Sequence, residues 1–148
     1  ERRLEEDVIP ECVRSEISTV CYRALGRGII TNKYSNGIEL PPESRGATSE
    51  RIRRHLTERN FSILSLLNRY VELRGGETLA CLSIGWLLAR KTVASMVLGM
   101  RNVSQLESNI RGLGFEMSEK DCAELDGLLM EGQFLDYVHA NPTTFLEV

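Results

Sequence analysis

Two segments of the 148-residue chain carry residue types that suit phosphate binding. The first runs from Tyr22 to Tyr34, where Gly26 and Gly28 follow a β-rich stretch and Arg27 and Lys33 lie nearby. Glycines let the backbone approach a pyrophosphate closely, and basic side chains add positive charge. Taken alone, this pattern is better explained by a simple glycine turn with solvated basic side chains.

The second segment begins at Gly99, where a predicted strand ends and a predicted helix begins. Unpaired N–H groups and the helix dipole favour an anion at such a position. Arg101 could clamp a phosphate or stack on a purine, and Gln105 and Asn109 share one helix face and could reach the same adenine. The alternative is an ordinary capped helix with exposed polar residues.

The elements that position these segments alternate between helices and strands. Hydrophobic periodicity and capping signals predict a helix over Leu4–Ser15, a strand over Ile17–Tyr22 and an irregular, mobile segment over Thr31–Thr48. A helix that Ser49 caps is then predicted from Glu50 to Val71, followed by a nearly all-apolar helix over Glu77–Lys91 and a strand over Val93–Leu98. The last two predicted elements are a helix over Val103–Leu113 and a helix that follows a Ser118–Asp121 capping box and ends at Glu131. This alternation predicts an α/β fold with parallel strands. Two parallel strands leave edges and faces uncovered, so we expect part of the fold to lie outside this chain.

Composition narrows the class of protein further. A hydrophobic content of 42%, a charged content of 26% and a net charge of −3 are typical of a soluble globular domain and offer no basic excess for nucleic acid or an anionic membrane. The apolar stretch Leu79–Ala89 is too short to cross a bilayer. We therefore expect no nucleic-acid or membrane partner. The chain opens without a start methionine and without the signature of a signal peptide, so it is interpreted as a fragment. Its cysteines do not resemble a secreted disulfide framework, which favours a cytoplasmic location.

The cysteine spacing excludes the usual metal sites. The four cysteines are scattered, with no C-x-x-C pair and no adjacent histidine, at Cys12, Cys21, Cys81 and Cys122. We expect them to be reduced and mostly buried, and we expect no metal.

Several motifs in the same order resemble the C-terminal half of the aldo-keto reductases, close to the branch that includes the potassium-channel β subunits. They are a Leu-Gly-x-Gly turn that leads to Lys33-Tyr34, a Pro-x-Ser-Arg sequence that ends at Arg45, a Trp-Leu-Leu helix at Trp86, and a Gly-x-Arg-Asn-x-x-Gln-Leu-x-x-Asn sequence that ends at Asn109. The resemblance runs from about Arg3 to Leu129. It implies a single partial domain, with residues 1–131 as the C-terminal half of the barrel and residues 132–148 as a tail.

The family fold implied by this resemblance is a (β/α)8 TIM barrel, of which the chain would supply the last two strands and their helices. Such barrels bind ligands at the C-terminal ends of their strands, and the last two strands commonly hold a phosphate. The implied cofactor is NADP(H), because Arg101 matches the position near the 2′-phosphate. The implied cofactor-binding residues are Arg23, Leu25, Gly26, Gly28, Lys33, Arg45, Gly99, Arg101, Gln105 and Asn109.

Some positions depart from the family pattern. Arg23 and Ala24 stand where Ser-Pro is common, Ser108 replaces a frequent glutamate, and Asn32 replaces a common glycine. These departures bear on cofactor affinity more than on family identity.

The chemistry implied by the resemblance is reduction of aldehydes and ketones to alcohols by hydride transfer from NADPH, with a Tyr, Lys, Asp and His tetrad. All four belong to the half-barrel that precedes this chain, so we expect no catalytic residue and no turnover here. None of the tyrosines matches that motif: Tyr22 and Tyr70 are expected to be core or strand-end residues, Tyr34 follows the loop lysine, and Tyr137 lies in the tail. Both histidines, His55 and His139, are expected to be solvated.

The sequence is also compatible with functions other than that of a reductase fragment. The parent protein could be an NADP(H)-binding regulatory or sensor subunit, or the chain could be an inert fragment. A helical interaction domain that uses the basic stretch Arg51–His55 is disfavoured, since glutamates interrupt it and aromatic residues are absent from it. The exposed barrel edges also predict self-association.

Overall fold

The structure, a computed structural model, describes residues 2–75 and 77–131. The predicted tail 132–148, with Tyr137 and His139, lies outside the described residues. In chain order the elements are a 3₁₀ turn Arg2–Glu5, α1 Val8–Arg14, β1 Thr19–Tyr22, a 3₁₀ turn Gly26–Gly28, α2 Arg45–Thr48, α3 Glu50–Arg53, α4 Glu58–Leu73, α5 Leu79–Leu88, β2 Val93–Val97, α6 Val103–Leu113 and α7 Glu119–Glu131.

The two strands pair in parallel, as the alternation of helices and strands predicts. The partner positions are Thr19 with Val93, Val20 with Ser95, Cys21 with Met96, and Tyr22 with Val97. The register shifts between Thr19 and Val20. Within the described residues the sheet has only these two strands, so the α/β class is confirmed and the sheet is a small one.

The two faces of this sheet differ in how far their side chains are buried. Cys21 and Met96 are partly buried, whereas Val20, Tyr22 and Val97 are 62%, 64% and 63% exposed. Side chains alternate between faces along a strand, so Val20, Tyr22 and Val97 point to the same side of the sheet. The described residues therefore leave one apolar face of the sheet uncovered, as expected for a partial fold.

The hydrophobic core lies among α4, α5 and α7. It is formed by Leu64, Leu67, Tyr70, Val71, Leu79, Leu82 and Leu125. Helix α5 is buried along most of its length, and its Gly85 lies against Phe115. A Cβ atom on Gly112 of α6 would lie 2.8 Å from Ile84 Cδ1 and 3.2 Å from Cys81 Cα. Small residues thus let α5 and α6 approach closely, and the expectation of an all-round packed helix is confirmed.

Two predicted helices are divided in the structure. The predicted helix over Leu4–Ser15 is a 3₁₀ turn followed by α1, which begins at Val8 with Asp7 as its N-cap. Pro10 accounts for the break, because its ring clashes with the carbonyl of the residue four positions earlier, Glu6, and blocks a continuous helix there.

The second divided helix is the one predicted from Glu50 onwards. It ends at Arg53, and α4 begins only at Glu58. Thr57 is extended, with φ −104° and ψ 157°, and its hydroxyl accepts a hydrogen bond from Asn60 N at 3.2 Å. This cap starts a new helix at the junction. Ser49 stands at the N-cap position of α3, but its side chain forms no capping hydrogen bond.

Other predicted boundaries agree with the structure. Helix α6 spans Val103–Leu113 as predicted, and α7 follows the predicted capping box. In that box Ser118 N donates to Asp121 Oδ2 at 2.9 Å, and Asp121 N donates to Ser118 Oγ at 3.2 Å. The predicted irregular segment Thr31–Thr48 is helical at its end, where Ser44 accepts a hydrogen bond from Ala47 N and caps α2.

Candidate functional site

The turn after β1 is unusually rich in left-handed backbone conformations. Positive φ angles occur at Arg23 (61°), Gly26 (54°), Arg27 (58°) and Gly28 (96°). The turn is closed by hydrogen bonds from Gly26 N to Arg23 O and from Gly28 N to Leu25 O, both 2.8 Å. Glycine adopts this region freely, whereas an arginine there is strained by roughly 1 kcal/mol or more. The sequence places two arginines at positions whose conformation alone would favour glycine.

The structure brings Lys33 back onto this turn. A Cβ atom at Gly28 would lie only 3.0 Å from Lys33 Nζ. The ammonium group therefore occupies the space that a larger residue at Gly28 would need. The predicted pairing of a glycine turn with a nearby loop lysine is present, and it places a cation beside the backbone of the turn.

Arg45, on α2, contributes charge to the same region. The pKa of Arg27 is lowered by partial burial and then by the positive charges of Arg23, Arg51 and Arg45. The sequence indicates Arg51 only as part of the basic stretch Arg51–His55. Its proximity to Arg27 carried no sequence signal, because the two residues belong to separate segments.

The segment between the turn and α2 is attached to the rest of the fold at several points. Asn32 and Asn68 exchange side-chain hydrogen bonds of 2.6 and 2.9 Å. The hydroxyl of Tyr34, whose side chain is 3% exposed, accepts a hydrogen bond from Gly46 N at 2.9 Å. Tyr34 is therefore a buried anchor for α2, a role for which the sequence carries no local signal.

The second predicted segment lies where β2 leads into α6. Asn102 caps α6 by accepting a hydrogen bond from Gln105 N at 2.9 Å, and Gln105 Oε1 accepts one from Arg101 N at 2.9 Å. Arg101 Nη1 also donates to Glu43 O at 3.0 Å, which links this turn to the segment before α2. No heavy atom lies within 4 Å of a Cβ built at Gly99, so the backbone there is open.

Asn109 is the one predicted site residue that is buried. Its side chain is 6% exposed, and its amide Nδ2 has no hydrogen-bond partner among the described residues. A buried amide left unpaired costs about 1–3 kcal/mol. Asn109 stands four residues after Gln105 on α6, so both amides lie on one helix face. This orphaned donor fits a group that binds adenine edges.

The remaining tyrosines and His55 form no catalytic arrangement within the described residues. Tyr22 is exposed at the end of β1, and Tyr70 is buried, with its hydroxyl donating to Asp121 O at 3.3 Å. Burial raises the pKa of Tyr70. His55 is half-buried, contrary to the expectation of a solvated side chain, and burial followed by the charges of Arg27 and Arg51 lowers its pKa.

The four cysteines are free thiols that are buried or partly buried. Cys81 and Cys122 are buried, and Cys12 and Cys21 are partly buried. Burial raises the pKa of Cys122. Within residues 2–75 and 77–131, no three His, Cys, Asp or Glu side chains are grouped so that they could hold a metal ion, and no helix is long and apolar enough to cross a membrane.

One open cavity of about 420 Å³ lies away from these segments. Its lining includes Arg74, Glu77, Arg111 and Glu116, and it contains none of the predicted cofactor residues. Both signs of charge meet there, so the cavity offers no preference for an anionic ligand. The turn after β1 and the start of α6 are better candidates for a phosphate-bearing ligand.

Similar proteins agree on one family. The L-glyceraldehyde 3-phosphate reductase of Escherichia coli K12 is 32% identical over 123 residues, covering 79% of this chain and 35% of that protein. The NADP(+) aldo-keto reductase yakc of Schizosaccharomyces pombe is 26% identical over 83% of this chain and 36% of its own length. The chain thus spans about a third of the length of the curated relatives it matches.

A solved structure agrees at the level of the fold. The glycerol dehydrogenase AKR11B4 of Gluconobacter oxydans superposes with a TM-score of 0.71 at 20% identity, over 89% of this chain and 40% of that one. The sequence profile described as the Aldo/keto reductase family matches residues 1–130. This match takes in both candidate phosphate segments, both strands, and the described helices up to residue 130 of α7. The chain therefore belongs to the aldo/keto reductase family.

Proposed function

We propose that this chain is the cofactor-holding part of an NADP(H)-dependent reductase that converts aldehydes or ketones to alcohols. In this proposal β1 and β2 are the last two strands of a (β/α)8 barrel, and the catalytic tetrad lies in a part of the protein that precedes this chain. Family membership and the reductase relatives support it. When bound, the cofactor supplies a hydride to the carbonyl carbon.

The observation that carries this proposal is the unpaired, buried amide of Asn109 at one end of a polar path along α6. Arg101 lies at the N-terminus of the same helix, and Gln105 lies between them in sequence. An arginine suits a phosphate because its planar guanidinium donates several hydrogen bonds, and helix N-termini favour anions. These three residues would hold the adenosine end of the cofactor, with Arg101 at its 2′-phosphate.

The pyrophosphate end would be held by the turn after β1. Its glycines permit close approach of the backbone, and Lys33 and Arg45 supply positive charge on either side of the segment that leads to α2. Arg23, Leu25, Gly26 and Gly28 complete this part of the proposed surface, and Gly99 keeps the backbone open beside β2.

The whole protein would act on a small carbonyl substrate in the cytoplasm, and we propose no nucleic-acid, membrane or metal partner for it. Exposed apolar residues on the sheet support self-association of the chain when it is separated from the rest of the barrel. Among relatives, the Escherichia coli protein is named for a phosphorylated aldehyde and the yeast protein for NADP(+).

A cofactor titration tests this assignment. We expect NADPH to bind the folded chain, detected as a change in nicotinamide fluorescence, without any turnover of aldehydes. Asn109→Leu should weaken NADPH binding by about tenfold, because the loss of one hydrogen bond between uncharged groups costs about 1.4 kcal/mol. Because Asn109 Nδ2 has no hydrogen-bond partner among the described residues, the substitution should not lower the thermal stability.

The control is Asn36→Leu, at an exposed position in the segment before α2. It should leave the affinity for NADPH unchanged. Absence of NADPH binding at millimolar concentration by a folded chain contradicts the proposal. Cofactor binding by the complete protein without any carbonyl turnover would instead favour a regulatory or sensor subunit.

A further inference from the structure

An Asn-Gly pair lies at the centre of a tight turn in the segment between Tyr34 and α2. Asn36 and Gly37 are both exposed, and Ile38 N donates to Ser35 O across them at 3.4 Å. Gly37 has a left-handed backbone conformation, with φ 72°. An asparagine side chain is attacked most readily by the backbone when glycine follows it, because glycine has no side chain to shield its own nitrogen.

Both reacting groups of this pair are accessible in the structure. Among the described residues, neither the side-chain amide of Asn36 nor the backbone N–H of Gly37 has a hydrogen-bond partner. No heavy atom lies within 4 Å of a Cβ built at Gly37, so the space beside its backbone is open. The nitrogen of Gly37 can therefore approach Cγ of Asn36 without breaking a hydrogen bond or displacing a neighbouring side chain.

The other asparagines in the described part of the chain are held by their surroundings. The side chains of Asn32 and Asn68 exchange hydrogen bonds of 2.6 and 2.9 Å, and Asn60 Nδ2 donates to a backbone carbonyl at 2.6 Å. Asn102 caps α6, and Asn109 is buried within that helix. None of these five asparagines is followed by glycine. Sequence and structure therefore both distinguish the asparagine of the turn from the rest.

We propose that Asn36 is a site of spontaneous deamidation. The backbone nitrogen of Gly37 forms a bond to Cγ of Asn36, the proton of that nitrogen leaves with the side-chain amide as ammonia, and a cyclic succinimide remains. Water then adds to one of the two ring carbonyls and opens the ring, which gives aspartate or isoaspartate. No oxidant, reductant or enzyme is required. The product carries an additional negative charge, and in isoaspartate the backbone passes through the former side chain.

Incubation of the folded chain at mildly alkaline pH, followed by mass spectrometry, tests the site. Trypsin releases Asn36 in the peptide Tyr34–Arg45 and Asn32 in the peptide Gly28–Lys33, so each digest contains its own control. The first peptide should gain the mass of the amide-to-acid change and separate into two chromatographic forms. Asn36 should deamidate at least about tenfold faster than Asn32, because attack on Asn32 first requires the loss of two hydrogen bonds of about 1 kcal/mol each.

Two variants test the chemistry of the step. Asn36→Leu has no side-chain amide and should show no mass change in the peptide Tyr34–Arg45. Gly37→Ala keeps Asn36 but places a methyl group beside the attacking nitrogen, so it should slow the modification. Equal rates at Asn36 and Asn32, or an unchanged rate in Gly37→Ala, overturn the proposal. A mass change that persists in Asn36→Leu also overturns it, because it would then arise elsewhere in the peptide.

The modification should also affect cofactor binding, a consequence that rests on the proposed function. Lys33, assigned there to the pyrophosphate, precedes Asn36 by three residues, so their Cα atoms lie within about 11 Å of each other. Salt screens charges over about 10 Å at 0.1 M. Asn36→Asp should therefore weaken NADPH binding by about twofold relative to Asn36→Leu in dilute salt, and the difference should vanish in concentrated salt. Equal affinities of the two variants in dilute salt contradict this consequence, whereas the mass spectra decide the modification without any cofactor.

Discussion

Arg90 and Asp126 join the end of α5 to the middle of α7. Arg90 Nη2 donates to Asp126 Oδ1 at 2.9 Å and to Oδ2 at 2.8 Å. The same Oδ1 accepts a hydrogen bond from Trp86 Nε1 at 2.9 Å, and Arg90 Cζ lies 4.1 Å from the centre of the Trp86 ring. Because Arg90 lies in the short connection between α5 and β2, this contact ties that connection to α7.

Removal of the carboxylate should therefore destabilise the fold. Asp126→Ala leaves a half-buried guanidinium and an indole N–H without their shared acceptor, at a cost of about 2 kcal/mol. Urea denaturation followed by Trp86 fluorescence measures the change. Glu119→Ala is the control, because its contact with Lys91 is 3.6 Å long and both side chains are at least 84% exposed. The control should cost less than about 0.5 kcal/mol.

Replacement of Gly85 and of Gly127 by alanine should change the free energy of unfolding in opposite directions. A Cβ atom on Gly85 would overlap the carbonyl oxygen of Phe115, so Gly85→Ala should destabilise the chain by about 2 kcal/mol or more. Gly127 lies within α7 with no heavy atom within 4 Å of its built Cβ. Gly127→Ala should therefore stabilise by about 0.5–1 kcal/mol, because alanine favours helices. Thermal melts of both variants would show opposite shifts, and a stable Gly85→Ala would contradict the close packing of α5 against Phe115.

Asp121 should make the stability of the chain fall modestly in acid. A hydrogen bond from Arg74, whose Nη1 lies 2.7 Å from Asp121 Oδ1, holds the pKa of Asp121 well below its usual range, and Ser118 adds to this shift. The unfolded chain takes up the proton near pH 4 and the folded chain only at lower pH, so the stabilisation is present above pH 4 and is lost as the pH falls. Urea midpoints measured between pH 6 and pH 3 should decline in the parent chain and less in Asp121→Asn.

Arg101 should decide between the two nicotinamide dinucleotides. Only NADPH carries the 2′-phosphate that the guanidinium is proposed to bind, so Arg101→Gln should weaken NADPH by about tenfold and NADH much less. Fluorescence titrations with both cofactors give the ratio. Arg111→Gln, at the other end of α6, is the matched control. An equal loss of affinity for both cofactors would contradict a contact between Arg101 and the 2′-phosphate. The loss would then be attributed to the broken hydrogen bond between Arg101 and the Glu43 carbonyl.

The uncovered face of the sheet should drive self-association. Val20→Lys places a charge in the patch formed with Tyr22 and Val97, and it should shift the chain towards monomer in light scattering. Leu73→Lys changes a side chain that is 80% exposed at the end of α4, outside the patch. That control should leave the distribution unchanged, and a monodisperse monomer for the parent chain would contradict the prediction.

Local signals in the sequence were sufficient for much of the fold. The bounds of α6, the Ser118–Asp121 capping box and the parallel pairing of two strands followed from periodicity, caps and the order of elements. Two helix breaks were missed although their causes, Pro10 and Thr57, are local as well. A continuous hydrophobic pattern was given more weight than a proline and a cap within it.

In the candidate site, too, some features follow from local sequence and others depend on the tertiary structure. The sequence by itself determined which residue types follow β1 and β2, and hence that both turns suit phosphate. Only the tertiary structure decided that the charge of Arg51 lowers the pKa of Arg27, that Tyr34 is a buried anchor, and that the Asn109 amide nitrogen is buried without a hydrogen-bond partner among the described residues. Caps and periodicity act between residues a few positions apart, whereas these relationships depend on how distant segments pack. Charge convergence and burial are therefore set by the path of the whole chain.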